Sequence, residues 1–348
     1  MSEQVTNISS RKDEHLRICL EEDVNSSVPT GFDQVQLQIN SLPEIDFDYI
    51  DLSTIIFEKK LDAPILISSM TGGSGKTKQF NQILAQAANE FNIAMGVGSQ
   101  RAALVHDGLD DTFAIVRKEA PGALLFANIG VGQLNKGFGI DDCQRAVDML
   151  EADALVIHLN ALQEVLQPEG NRDFTQLLQK IEVITKNMPV PVIAKEVGCG
   201  IDPKTARLLV DVGIRGIDVA GAGGTSWAAV EMYRQTDPIR MSLCRTYIDW
   251  GIPTVEALRG LSDLPEDILR ISSGGLRDGL DVAKSIALGA DLAGFARKFI
   301  IAANAGYETL KETIELIMLE LKVAMFVSGA SNLNELRAKL DKESNDEK

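Results

Sequence analysis

A chain of 348 residues, 45% hydrophobic and 24% charged, is long enough for one large core and has an ordinary soluble composition. Its net charge of −16 argues against nucleic acid or an anionic membrane surface as a partner. No stretch reaches the roughly 18 apolar residues of a membrane span. The N-terminal MSEQVTNISSRKDEH has no apolar signal core, and Cys19, Cys143, Cys199 and Cys244 are scattered, so a cytoplasmic protein with reduced cysteines is expected. In chain order, residues 1–60 open with a dense charged cluster, Arg11, Lys12, Asp13, Glu14, His15 and Arg17, which on composition reads as a solvated helix start or a tail. Residues 35–57 alternate loosely and predict a strand or hairpin that plugs a barrel bottom or packs beside it.

Eight apolar runs follow, each tipped with small or polar residues and each trailed by a helix-like stretch. They are 64–73, 94–101, 124–133, 154–164, 190–198, 216–225, 268–277 and 292–299. Strands alternating with helices give a parallel sheet, and eight such units predict a closed (β/α)₈ barrel of the TIM type, an α/β fold, over 61–330. A helix is expected from about Lys76 to Phe91, where Phe80, Ile83, Leu84, Ala87 and Ala88 share one face. Asp202 before Pro203, and Asp278, are expected N-caps. The long gap 226–267 should hold the sixth helix plus a lid or an oligomer contact. Residues 303–329 read as an amphipathic helix closing the barrel, and the charged tail within 331–348 is expected to fray.

The chemistry should sit at the strand C-termini. Gly274–Arg277 (GGLR) and Gly294–Phe299 (GFARKF) follow runs seven and eight, where barrels often hold a phosphate on backbone N–H groups and a helix N-terminus. The GAGGTS of 221–226 can cradle another part of a phosphate-bearing cofactor, but it is no dinucleotide fingerprint. Lys195 ends an apolar strand and can form a Schiff base or set a positive charge beside an electron-rich ring such as a flavin. Ser99 and Asn128 can bond a ring edge, and 68–73 offers hydroxyl and backbone contacts. His158, Asn160, Gln163 and Glu164 cluster after run four, and a Glu beside a phosphate mouth suits Mg²⁺. His106 has no such company and reads as a surface residue.

These stretches carry a resemblance. RKDEHL, SSMTGG, GVGSQR, ANIG, HLNALQEVLQPEG, AKEVGCG, GAGGTSW, SSGGLRDG and GFARKF occur in the order seen in the type 2, FMN-dependent isopentenyl-diphosphate delta-isomerases, from about Arg11 to Gly329. The resemblance implies interconversion of isopentenyl and dimethylallyl diphosphate by a 1,3-allylic proton shift, with FMN kept reduced by NADPH, and Mg²⁺. By matching motif it assigns FMN to Ser69, Met70, Thr71, Ser99, Asn128, Lys195, Thr225, Gly275, Arg277, Ala296 and Arg297. It assigns the diphosphate to Arg11, Lys12, Gln100, Arg101 and His158, the reacting alkene to Gln163 and the metal to Glu164. Gln163, His158 and Lys195 are the catalytic candidates, and residues 1–60 become an extension serving the substrate site. A homotetramer or homo-octamer is implied. The rival activity is an FMN-dependent oxidoreductase of the 2-hydroxy acid oxidase type on the same barrel; a flavin-binding protein without activity is the second alternative.

Overall fold

Alternation along eight short strands builds the molecule. The structure is a computed structural model and describes residues 2–70, 72–106 and 108–341. A long helix α1 (Ser2–Glu21) leads into a hairpin of β1 (Thr54–Ile56) and β2 (Lys59–Leu61). The barrel strands are β3 (Ile65–Ile67), β4 (Ala94–Gly96), β5 (Leu125–Gly130), β6 (Ala154–His158), β7 (Val192–Lys195), β8 (Gly216–Asp218), β9 (Leu269–Ser273) and β10 (Leu292–Phe295). Each pairs in parallel with the next, and β10 pairs back onto β3, closing the predicted barrel.

Between and around the strands lie α2 (Gly75–Glu90), α3 (Arg101–Val105), α4 (Asp111–Glu119), α5 (Ile140–Leu150), α6 (Ala161–Leu166), α7 (Leu177–Asn187) and α8 (Pro203–Asp211). They continue with α9 (Trp227–Arg234), α10 (Pro238–Thr246), α11 (Thr254–Arg259), α12 (Gly279–Ala287), α13 (Arg297–Ala305), α14 (Tyr307–Ser328) and α15 (Leu333–Arg337). Ser74 starts α2 with a capping box, and Asp202 and Asp278 cap α8 and α12 as expected.

The period of two sorts each strand between two cores. Ile65, Met95, Leu125, Leu155, Ala194 and Ala293 face the helices. Leu66, Ala94, Phe126, Val156, Ile193, Ile271 and Leu292 fill the barrel interior. Ile56 and Leu61 of the hairpin join that inner cluster, with Phe57 against it. The hairpin thus plugs the barrel, as the alternation predicts, while most of 35–53 is irregular. Two residues further along the interior rows of six strands stand Ser68, Asn128, His158, Lys195, Asp218 and Ser273, so the same alternation that packs the core delivers polar groups to the mouth.

Two expectations change and a third gains detail. The 226–267 segment supplies α9, α10 and α11; α11 packs on β9 as the barrel helix, while α9 packs on α6 and α1 above the mouth. The end of the chain is fixed to residue 341, because Gln38 N–H donates to Lys339 O and Asp341 N–H to Gln36 O; residues 342–348 lie outside the described ones. His106 is no plain surface residue: its Nε2 is buried without a hydrogen-bond partner among the described residues.

Candidate active site

The barrel mouth holds two adjoining cavities. One, of about 140 Å³, is lined by Arg11, Lys12, Arg101, His158, Gln163 and Glu164 together with the apolar Leu16, Met70, Val197 and Trp227. The other, of about 470 Å³, is lined by the glycine-rich loops after β8 and β9, the Gly294–Lys298 turn and Thr225. Ser69, Met70, Lys195, Val197 and Trp227 belong to both. Ser99 and Asn128, expected on a cofactor, line the first cavity. Thr71 lies outside the described residues.

Helix α1 brings its cations over the mouth. Lys12 Nζ donates to Gly72 O and Ser99 O at 2.5 Å each, and Arg11 pairs with Glu169 at 3.4 Å. Burial, with Arg11 and Arg101 nearby, pulls the Lys12 amine down to about 7. This positive corner stands in a chain of net charge −16. It is held by acids: Arg234 bonds Glu14 (3.0 Å), Glu169 (2.9 Å) and Glu231 (2.6 Å). Such a cluster suits a strongly anionic ligand.

His158 and Gln163 are aimed by neighbours. His158 Nδ1 lies 2.8 Å from Asn128 Oδ1; since an amide oxygen only accepts, Nδ1 carries the proton. Burial first, then the charges of Lys195 and Lys12, push His158 down to about 4, so the ring is neutral. Gln163 Nε2 donates to Glu231 Oε1 at 3.2 Å. The buried Glu231 also accepts from His15 at 3.0 Å; burial would raise its carboxyl, but His15 and Arg234 hold it below the ordinary range. Sequence reading missed Glu231, which lies 68 residues from Gln163.

Glu164 is buried and takes hydrogen bonds from Asn160 Nδ2 (3.0 Å), Gln167 Nε2 (2.8 Å) and the Asn171 N–H. Asn160 Oδ1 beside it is buried with no hydrogen-bond partner among the described residues. A carboxylate and an unsatisfied amide oxygen at a cationic mouth are hard donors, and they fit Mg²⁺ shared with a phosphate. Among the described residues no cluster of three or more His, Cys, Asp or Glu could hold a metal alone.

Lys195 has a partner that the sequence did not reveal. Its Nζ lies 3.2 Å from Asp218 Oδ2 on the neighbouring strand and donates to Glu196 O at 2.9 Å. Asp218 Oδ1 accepts from Ser273 Oγ at 2.5 Å. An ammonium has three donors, so one remains for a ligand in the shared wall.

The larger cavity is made of backbone. Gly224 packs so closely that a Cβ there would come 2.5 Å from Gly275 N, and Gly275 itself has φ +75°. Helix α13 begins there with no side-chain cap, leaving its first N–H groups and positive end for an anion. Ser68 Oγ in the wall is buried and has no hydrogen-bond partner among the described residues. These features fit the phosphate and ring of FMN.

Three assigned residues stand differently from expectation. The Arg277 guanidinium pairs with Asp281 (2.9 Å) and Asp33 (2.8 Å). That of Arg297 donates to Cys19 O (2.7 Å), Asn25 Oδ1 (2.9 Å) and Glu22 O (3.2 Å), fastening the end of α1. Both line the cavity by position, while N–H donors of each are engaged by protein oxygens. Gln100 is wholly buried and lines neither cavity; its amide bonds Asn128 N and Ala146 O, both at 2.8 Å, and braces the strand from behind.

A parallel barrel with a glycine-built anion cradle at its C-terminal mouth is the architecture of a phosphate-binding barrel, and the FMN-dependent dehydrogenase family model matches residues 145–342. Solved structures agree in fold: a flavocytochrome b2 double mutant with pyruvate bound has TM-score 0.71 at 17% identity, covering 99% of this chain and 87% of that one. A mandelate oxidase mutant with an FMN adduct has TM-score 0.64 at 19% identity, covering 97% and 98%. The isopentenyl-diphosphate delta-isomerase of Nostoc sp. is 50% identical over 329 residues, 94% of each chain. That of Stutzerimonas stutzeri is 46% identical over 338 residues, 97% of each. The chain belongs to the FMN-dependent isopentenyl-diphosphate delta-isomerase family and is an isomerase.

Proposed function

We propose that this protein interconverts isopentenyl and dimethylallyl diphosphate by an allylic proton shift, using reduced FMN and Mg²⁺. The observation that carries the reading is the pair of adjoining cavities, one cationic with an apolar end and one glycine-built, sharing Lys195, Met70 and Val197. FMN held by the Gly224, Gly275 and Ala296 loops and kept reduced by NADPH supplies acid–base capacity and electron density without net redox change. Arg11, Lys12, Arg101 and His158 bind the diphosphate, and Mg²⁺ on Glu164 and Asn160 neutralises part of its charge. Leu16, Met70, Val197 and Trp227 hold the hydrocarbon and exclude water. Gln163, fixed by Glu231, orients the alkene. Proton transfer typically supplies about 10²–10⁴-fold, so preorganised charge provides much of the remaining acceleration.

A homo-oligomer in the cytoplasm belongs to the same reading. It is supported by the outer side of α14, where Leu316, Leu319, Val323 and Val327 are exposed in one stripe. Among the described residues no helix is long and apolar enough to cross a membrane.

The test is an anaerobic assay with isopentenyl diphosphate, Mg²⁺, FMN and NADPH. Many dimethylallyl diphosphates formed per NADPH support the proposal. A flavin-loaded protein that makes none, but oxidises 2-hydroxy acids, replaces it with the oxidase reading. Glu164→Gln should raise the Mg²⁺ concentration needed for half-maximal rate or abolish turnover; an unchanged requirement removes Glu164 from the metal.

A further inference from the structure

The apolar end of the smaller cavity is short, and one side chain ends it. Its large apolar walls are Leu16, Met70, Val197 and Trp227. The whole cavity is about 140 Å³, and an engineered apolar cavity of about 150 Å³ takes up a single benzene. With FMN in the larger cavity, which shares Met70, Val197 and Trp227, a five-carbon tail fills the apolar end once the diphosphate occupies the cationic one.

Trp227 is fixed where it stands. It is the first residue of α9, whose start is capped by Ser226 accepting from Ala229 N. The His15 ring meets it edge-on, with centroids 5.2 Å apart at 77°, and His15 is held by buried Glu231. A second, very small hollow also has Trp227 in its wall, together with Leu162, Val197, Cys199, Ala228 and Trp250. Trp227, Val197 and Gln163 line both spaces, and Trp250 is 64% exposed. The indole borders both the substrate cavity and this hollow, whose wall also includes Glu196, Gly198 and Ser226.

We propose that Trp227 sets the upper limit on alkenyl chain length, so that the wild-type site takes five-carbon diphosphates and rejects the ten-carbon homologue. The limit is steric. A ten-carbon tail must displace the indole, the His15 contact against it and the packing of α9, whereas a smaller side chain at 227 joins the two spaces. This inference rests on the function proposed above.

The experiment measures equilibrium binding of isopentenyl and geranyl diphosphate to the FMN-loaded, Mg²⁺-containing protein. For the wild type, geranyl diphosphate should bind at least about tenfold more weakly, a difference of about 1.4 kcal/mol. In Trp227→Ala the ratio should shift by at least about tenfold toward the longer chain, with Trp227→Phe between. Adding Cys199→Trp to Trp227→Ala refills the second hollow and should restore exclusion. An unchanged ratio in flavin-loaded Trp227→Ala overturns the proposal. So does a wild type that binds both lengths equally, a result that needs no variant to fold. A wild type that binds neither diphosphate refutes the function instead, which keeps the two failures apart.

Discussion

The two cavities at the mouth are built from different materials. The smaller is made of charged and polar side chains drawn from α1, β6, β7 and the segments after β4 and β6, several of them fixed by another side chain: Lys195 by Asp218, Gln163 by Glu231, His158 by Asn128. The larger is made of backbone, and the arginines beside it are turned to carboxylates and carbonyls. The difference fits the groups each is proposed to hold. A permanent cofactor phosphate can be met by fixed N–H groups and a helix end. A substrate that comes and goes with its metal needs charges on side chains that can be exchanged or screened.

The sharpest way to break the comparison lies in the wall the cavities share. Asp218→Asn leaves Lys195 buried without its counter-charge. Breaking one side of a buried pair costs about 3–5 kcal/mol, so urea unfolding should show a loss of that order. Adding Lys195→Met should return most of it. A single variant as stable as wild type would show that the pair is not the buried ionic contact described here.

Next in size is the cradle. Gly275→Val places a branched side chain at φ +75° against the Gly223 loop, and FMN affinity should fall at least about 100-fold by fluorescence titration. Retained affinity would mean that the flavin phosphate is not seated on these loops.

The smaller cavity has a proton signature. Folding lowers the Lys12 amine from 10.5 to about 7. Between those values the unfolded chain binds more protons than the folded one, so this group's contribution to stability rises with pH across about 7–10.5. An anionic diphosphate restores the ammonium, so binding takes up a proton above pH 7. The KM for isopentenyl diphosphate should climb from pH 7 to 9, by up to about tenfold per unit. Lys12→Met should flatten the slope; a wild-type KM independent of pH would show that Lys12 stays charged without the ligand.

Much of this contrast was legible in the sequence. Eight apolar runs at regular spacing could close only one way, and the glycines after β8 and β9 announced an anion because only glycine permits such approach. The Gln163 and Glu164 pair stood out as polar residues at a strand end. The supports did not. Asp218 lies in GIDVAG and reads as an ordinary strand-end acid, since nothing local shows that Lys195 stands beside it. Glu231 sits on an amphipathic helix far along the chain from both Gln163 and His15. Gln100 adjoins Arg101 and shares its polarity, but the chain turns it inward to bind Ala146 O and Asn128 N. Sequence shows which side chains can do chemistry; which are spent on one another is decided by contacts between distant segments.

The smallest effect expected falls on a charged residue of the larger cavity. Arg277 follows the two glycines of the β9 loop, and the motif assigns it to the cofactor. Its guanidinium is half-exposed and divided between buried Asp281 and surface Asp33. That pairing largely cancels its charge toward the cavity. Arg277→Ala should therefore change FMN affinity by only about threefold, under 1 kcal/mol, while Gly275→Val changes it far more. Because Asp281 loses a hydrogen-bonded cation, stability should fall modestly, within the range of about 1 kcal/mol for partly exposed pairs. If Arg277→Ala instead matched Gly275→Val in FMN binding, the guanidinium would have to leave both carboxylates for the phosphate when the cofactor binds. The contrast between a backbone-built and a side-chain-built cavity would then fail.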